Sequence, residues 1–383
     1  MKIVIAPDSF KESMTALEVC EAAERGLRRS LPEVQTVKIP MADGGEGTVQ
    51  ALVDATNGTF TSLTVTGPLG LPVEAEYGWL GDQLTAVIEM ASASGLHLVP
   101  PERRNPLMTT TAGTGELIKD AVQKGAKHII IGIGGSATND GGMGMAQALG
   151  VKFLDSEGAE LSYGGGALSK LAKIDASKMM KELSGVTIDV ACDVDNPLTG
   201  PTGASAIFGP QKGATDETVA VLDRNLSHYA SLILKETGRD VEKIEGSGAA
   251  GGLGAGLLAF LNANLKRGVD IVIETVKLEQ HMAEADLVIT GEGRIDGQTI
   301  HGKTPVGVSK TAKKLNIPVI AIAGSIGDGY EKVHEEGISS VFSIVPGIVS
   351  LEEALNRGPL YVENLMFNLG QVLNLKMSKK PVF

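Results

Sequence analysis

The sequence predicts an α/β protein, an open parallel sheet built from both ends of the chain with a second α/β domain inserted into it. Three observations lead there. Residues 1–64 alternate short apolar runs with helical segments in a βαβα rhythm, the signature of a parallel sheet with ligands at its strand ends. Near residue 65 that rhythm gives way to a meander of strands. From Asp286 the βα rhythm returns.

The elements follow in order. Residues 2–6 form an apolar run readable as a buried strand. After a loop at 7–14, residues 15–30 read as a helix. Thr15 and Glu18 make a capping-box pattern, with Met14 and Val19 spaced for a hydrophobic staple. Residues 34–39 form a second strand, 42–47 a loop, and 48–56 a helix stopped near Gly58. Strands at 59–66 and 73–80 are joined by Gly67-Pro68-Leu69-Gly70, and 85–90 adds a third. A helix at 115–124, a strand at 128–132, a helix at 142–149, a strand at 187–191 and a long helix at 217–236 follow. A glycine-rich stretch at 248–256 leads into an apolar helix. A strand at 286–290 meets a loop at 291–296, and a helix at 305–315 and strands at 318–323 and 341–345 close the series. The simplest account assigns 1–64 and 285–383 to one discontinuous, Rossmann-like domain and 65–284 to the insertion, with the active site expected in a cleft between them. No repeat or linker interrupts it, and disorder is expected only for a few C-terminal residues.

Composition narrows the function. A chain of 383 residues suits two domains, and 43% hydrophobic with 21% charged residues is ordinary for a globular protein. Glycine occurs 49 times while aromatics reach 4%, which favours tight turns and close backbone approach over stacking platforms for bases. The 34 basic and 46 acidic residues give a net charge of −12, and no basic run exceeds a pair, which excludes nucleic acid as a partner. Cys20 and Cys192 form no CxxC motif and are expected to stay reduced, as in cytosol. The apolar run at the start is too short for a signal sequence, and the longest one, at 257–261, is too short to span a bilayer. The expectation is a soluble, cytoplasmic protein without a membrane partner. A homo-oligomer is left open.

Six loops carry the polar groups. The first, Asp8, Ser9 and Lys11, lies between a strand and a helix N-terminus, a position that suits an anion; a capped turn with a solvated lysine is the plainer account. The second, Asp43-Gly44-Gly45-Glu46, combines glycines that let backbone approach phosphate with carboxylates suited to Mg²⁺, or is an acidic turn. The third runs from Gly134 and Gly135 through Ser136, Thr138, Asn139 and Asp140. Structural glycines alone would not require that density of polar groups. In the fourth, Asp193 could accept a proton from a substrate hydroxyl, or cap an Asx turn before Pro197. The fifth presents Lys212 between glycine turns, as a phosphate contact or an exposed lysine.

The sixth holds Glu292 and Arg294, with Glu292 and Asp296 as metal candidates. Residues 297–304 then satisfy the P-loop formula of glycine, four residues, glycine, lysine and threonine. A true P-loop opens directly off its strand, whereas the strand here is expected to end at Thr290, so Lys303 is read as a phosphate contact on a different loop. The scattered histidines make no metal spacing. No Gly-x-Ser-x-Gly elbow is present.

Together the segments IVIAPDSFKES, ADGGEGT, IGIGGSATNDGG, ACDVDNPL, IFGPQKGA, GAAGGLGAG and ITGEGRID resemble the type I glycerate kinase family of bacteria, in its order and spacing along nearly the whole chain. The resemblance implies ATP-dependent phosphorylation of glycerate, Mg²⁺ dependence and a two-domain α/β fold unlike that of P-loop kinases. Carried over by position, Asp193 is the general-base candidate. Asp195 departs from relatives with an uncharged residue there, and a second carboxylate could compete for metal or raise the Asp193 pKa. The expected assignment has Asp193, Lys11 and Lys212 in catalysis and Asp43, Glu46 and Glu292 at the metal. Asp8, Ser9, Gly44, Gly45, Thr114, Gly134, Gly135, Ser136, Thr138, Asn139, Asp140, Arg294 and Lys303 would bind substrate or phosphate. The rivals are an NAD-dependent oxidoreductase, disfavoured because the first loop has Pro7-Asp8-Ser9 where a dinucleotide needs glycines, and a non-catalytic hydroxy-acid sensor, which has little need of metal ligands.

Overall fold

The computed structural model describes residues 1–377, with the side chains of 376 and 377 outside the description. The disorder expected at the C-terminus falls beyond that range. Its strands, in chain order, are β1 (Lys2–Ile5), β2 (Gln35–Lys38), β3 (Thr59–Thr66), β4 (Pro72–Trp79), β5 (Thr85–Glu89), β6 (His128–Gly132), β7 (Lys152–Leu154), β8 (Lys173–Asp175), β9 (Thr187–Ala191), β10 (Asn264–Lys266), β11 (Leu287–Ile295), β12 (Val319–Ile326) and β13 (Ser340–Ser343). The chain divides into two compact units, one of Met1–Asp43, Gln50–Asn57 and Val269–Phe383, the other of Gly44–Val49 and Gly58–Gly268.

The first unit is a five-stranded, wholly parallel sheet in the order β13-β12-β11-β1-β2. Strand order reverses between β1 and β11, so the crevice at their carboxyl ends is the expected ligand position in an open α/β sheet. Ile3, Ile5, Leu287, Ile289 and Ile322 supply the sheet side of the core. The helix Ala16–Ser30 covers it with Val19, Cys20, Ala23 and Leu27, and its capping box at Thr15 and Glu18 forms as the sequence predicts. Against it lies Gly358–Met377, a helix with no sequence signal, since it opens on Gly358-Pro359 and carries Gly370 inside. The two approach through glycines. A Cβ on Gly26 would sit 2.2 Å from the Glu363 carbonyl oxygen, and one on Gly370 would sit 2.0 Å from Ser30 Oγ.

The second unit holds a six-stranded sheet, β10-β9-β6-β5-β4-β3. The first four strands are parallel, and β4 and β3 add antiparallel at one edge. Because β3 pairs with β4 along its whole length, the boundary falls at Gly58; helices Gly268–Thr275 and Leu278–Met282 lead back into β11, so the return falls at Val269 rather than at 285. Val87, Ile129, Ile131, Ile188 and Val190 are buried in the sheet, and Leu117, Ile118, Leu253 and Leu257 cover it from helices Ala112–Gln123 and Ala249–Leu261.

Two local expectations change. β11 runs on to Ile295 instead of ending at Thr290, because its glycine-rich half keeps parallel pairing with β12 as far as Ile295 and Ile326. The helix Ala249–Leu261 is interrupted: Ala250, Gly251 and Gly252 all adopt positive φ. Among the described residues no helix is long and apolar enough to cross a membrane.

Candidate active site

In the second unit three strands end level. Glu89, Gly132 and Ala191, the last residues of β5, β6 and β9, are register partners. Two residues beyond this row lie Gly134 and Asp193, both exposed. Asp193 accepts the Gly268 backbone N–H on Oδ1 at 3.0 Å, which orients the carboxylate. The segment Gly44–Val49 lies over the row. Gly44, at φ +94°, fits only without a side chain: its Cβ would meet Gly268 Cα at 2.6 Å and Ala191 Cβ at 2.8 Å. Glu46 is exposed.

Glu89, unmarked in the sequence beyond its strand-end position, accepts the Val49 N–H at 3.1 Å. Burial pushes its carboxyl up, against lowering bonds from the Val49, Gly47 and Thr48 backbone. It therefore occupies the N-terminal turn of helix Thr48–Thr56, where an anion would otherwise be favoured.

The third loop splits in two. Gly134 and Gly135 are exposed, and Ser136 is 7% exposed, whereas Thr138, Asn139 and Asp140 are fully buried. Only Gly134, Gly135 and the edge of Ser136 reach the surface. Asp140 accepts from Thr111 N–H and Oγ1 and from the Gly142 and Gly144 N–H groups. Thr109 Oγ1 donates to the Ala137 carbonyl. Thr114 is buried, with its hydroxyl on Ser94 at 2.9 Å. These residues brace the loop from below. Burial raises the Asp140 carboxyl. Lys212 is no exposed lysine: it is 1% exposed, with Nζ donating to Ser136 Oγ and to the Thr138 carbonyl, each at 2.7 Å.

In the first unit the carboxylates meet at the β1/β11 crevice. Asp8, just past β1, donates its N–H to the Gly291 carbonyl at 2.8 Å. Its side chain accepts from Ser9 N–H at 2.6 Å and Thr304 Oγ1 at 2.5 Å. Burial, then the nearby Asp43 charge, push it up to about 7. Glu292, also raised by burial, accepts from Thr299 Oγ1 at 2.7 Å and pairs with Lys303 Nζ at 3.3 Å. Lys11 is exposed on the loop after β1. Arg294 is exposed and turned onto Asp296 at 2.9 Å, so it and Asp296 serve each other.

Since β11 reaches Ile295, the P-loop formula does open close to its strand, and the distance objection falls. Its lysine and threonine are instead engaged by Glu292 and Asp8. Among the described residues no three His, Cys, Asp or Glu side chains form a ready metal cage. Asp8, Asp43 and Glu292 nonetheless act on one another electrostatically. Three mutually repelling acids offset by Lys303 fit a divalent cation carried in with a phosphate chain.

The raised Asp8 carboxyl has a consequence for stability. Folded, it titrates near 7; unfolded, near the ordinary carboxylate value. Between those values the folded state binds more protons, so Asp8 destabilises the fold increasingly as pH climbs through that window and fully above it. Asp8→Asn is expected to raise Tm at pH 8, by roughly 2–4 °C for each kcal/mol relieved, and far less at pH 4. Equal shifts at both would remove the charge as the cause.

Comparison with known proteins identifies the family. A model of the glycerate kinase family matches residues 3–374. The glycerate kinase of Bacillus subtilis strain 168 is 59% identical over 375 residues, 98% of each chain. The glycerate 2-kinase of Escherichia coli strain K12 is 57% identical, covering 92% of this chain and 93% of that protein. A crystal structure described as glycerate kinase 2 of Salmonella typhimurium LT2 superposes with a TM-score of 0.93 at 54% identity, covering 99% of this chain and 100% of that one. The chain belongs to the glycerate kinase family.

Proposed function

We propose that this protein transfers the γ-phosphoryl group of ATP to D-glycerate, on the C2 hydroxyl, giving 2-phosphoglycerate. The observation that carries the chemistry is Asp193, a carboxylate fixed by the Gly268 N–H just past a parallel strand end, beside the exposed glycine backbone of Gly134 and Gly135. The printed name of the Escherichia coli relative, a glycerate 2-kinase, supports the C2 choice.

Phosphoryl transfer needs positioning and charge neutralisation more than covalent steps. Asp193 takes the proton of the attacking hydroxyl as the new oxygen–phosphorus bond forms and the bond from the γ-phosphorus to the β,γ-bridging oxygen breaks, releasing ADP. The Gly134, Gly135 and Ser136 loop holds an anionic end of a substrate, and Lys11 and Lys303 balance phosphate charge. Asp43 and Glu292, with Asp8, would hold Mg²⁺; bound there, it would screen the charge of the triphosphate. Thr299, Thr304 and Ser9 keep those carboxylates oriented. We read the protein as a soluble cytoplasmic enzyme.

Phosphorus NMR of a mixture with ATP, Mg²⁺ and D-glycerate is expected to show 2-phosphoglycerate growing as ATP disappears. Accumulation of 3-phosphoglycerate would refute the C2 assignment. Glycerate binding without ADP would leave a sensor.

A further inference from the structure

Lys212 and Ser136 form a pair whose geometry goes beyond charge balance. Burial brings the Lys212 amine down to about 7, with the Asp140 charge acting to raise it; in its charged form it has donors only. Lys212 Nζ gives one hydrogen to Ser136 Oγ and another to the Thr138 carbonyl. The Ser136 oxygen therefore receives, and its own hydrogen must point elsewhere. Among the described residues no acceptor takes that hydrogen. Ser136 is also the last residue before the chain dips from the exposed Gly134 and Gly135 into the buried Ala137–Asp140 stretch. Asp140, the acid nearest in charge, spends its oxygens on Thr111, Gly142 and Gly144. A wholly buried lysine without a bonded carboxylate is a poor way to stabilise a fold; an apolar side chain of the same length would do better.

We infer that Lys212 is a positioning residue, which turns the Ser136 hydroxyl outward as a charge-assisted donor to an anionic oxygen of a substrate, the carboxylate of the hydroxy acid or a phosphate of the nucleotide. This rests on the kinase reading above. It reassigns Lys212 from touching phosphate to acting through Ser136.

Steady-state kinetics on the wild type, Ser136→Ala, Lys212→Met and the double variant test it. Each single change is expected to lower kcat/KM roughly 10- to 100-fold by raising one KM and leaving the other. A raised KM for glycerate identifies the carboxylate as the ligand; a raised KM for ATP identifies a phosphate. The double variant is expected to be no worse than the worse single one, because both remove the same donor. Losses that multiply would overturn the inference, as would an unchanged pair of KM values in Ser136→Ala. Should Lys212→Met fail to fold, Ser136→Thr decides: it keeps the hydroxyl and is expected to restore the KM lost in Ser136→Ala, and a threonine variant as weak as the alanine one overturns the claim. If the wild type itself transfers no phosphate, the kinase reading fails. Calorimetry with glycerate and with ATP then reads the donor directly, and equal affinities in wild type and Ser136→Ala would overturn the inference.

Discussion

Asp193→Asn is expected to lower kcat by roughly 10²–10⁴, the range of a lost general base, with both KM values little changed. The asparagine keeps the size of the carboxylate and an oxygen for the Gly268 N–H, a bond of 3.0 Å in the parent. It loses the capacity to take a proton. Because the side chain is exposed, thermal stability should stay within about 0.5 kcal/mol. Coupled ADP release and thermal denaturation check the two halves. A folded Asp193→Asn protein with near-normal turnover would sink the base assignment and move attention to Asp195, also exposed on the same loop.

Gly251→Ala should be the most disruptive single methyl group in the second unit. Gly251 holds φ +67° inside a helix, between two other left-handed residues, Ala250 and Gly252. A Cβ there would lie 2.0 Å from the Thr138 carbonyl oxygen and 2.7 Å from Asn139 Cα. Both neighbours belong to the buried floor of the Gly134 loop, and the Gly251 carbonyl accepts the Gly141 N–H at 3.1 Å. Steric overlap with backbone has no flexible side chain to absorb it. The expected loss exceeds about 4 kcal/mol, the exceptional class for a point change, read as a large fall in Tm together with activity. Ala250→Gly is the matched control. It relieves a left-handed alanine at φ +54° and should be neutral or stabilising by about 1 kcal/mol. If Gly251→Ala melts with the parent, the left-handed turn is not a tight constraint.

Much of this was legible because local rules and the global fold agree. The capping box at Thr15 and Glu18, the helix Thr48–Thr56, and strands β3, β6 and β9 follow from capping and apolar periodicity. The three-residue strands β7, β8 and β10 are too short for any period to show. The extension of β11 depends on a partner strand far along the chain, which supplies the bonds that glycine propensity disfavours. Helix Gly358–Met377 is set by fit against Gly26, a tertiary fact. At the site, residue types identified the chemistry but not depth. Ser136 and Asp140 read alike in sequence, yet one borders solvent and the other is sealed. Lys212 reads as an exposed cation because nothing local announces that helix Ala204–Phe208 and its turn carry it inward. Glu89 and Gly268 have no motif; only the level ends of β5, β6 and β9 give them meaning.

The division of the chain also dictates an order of events at the ribosome. The second unit is nearly continuous and can close its core once Gly268 has emerged. The first cannot. Ile3 pairs with Leu287, and helix Ala16–Ser30 finds its cover only in Gly358–Met377. The opening residues must therefore wait, unfolded, for nearly the whole polypeptide, a long loop closure that slows folding and exposes apolar surface meanwhile. Shortening the tail by one helix should leave the nascent first unit as the chaperone-dependent, aggregation-prone half of the molecule.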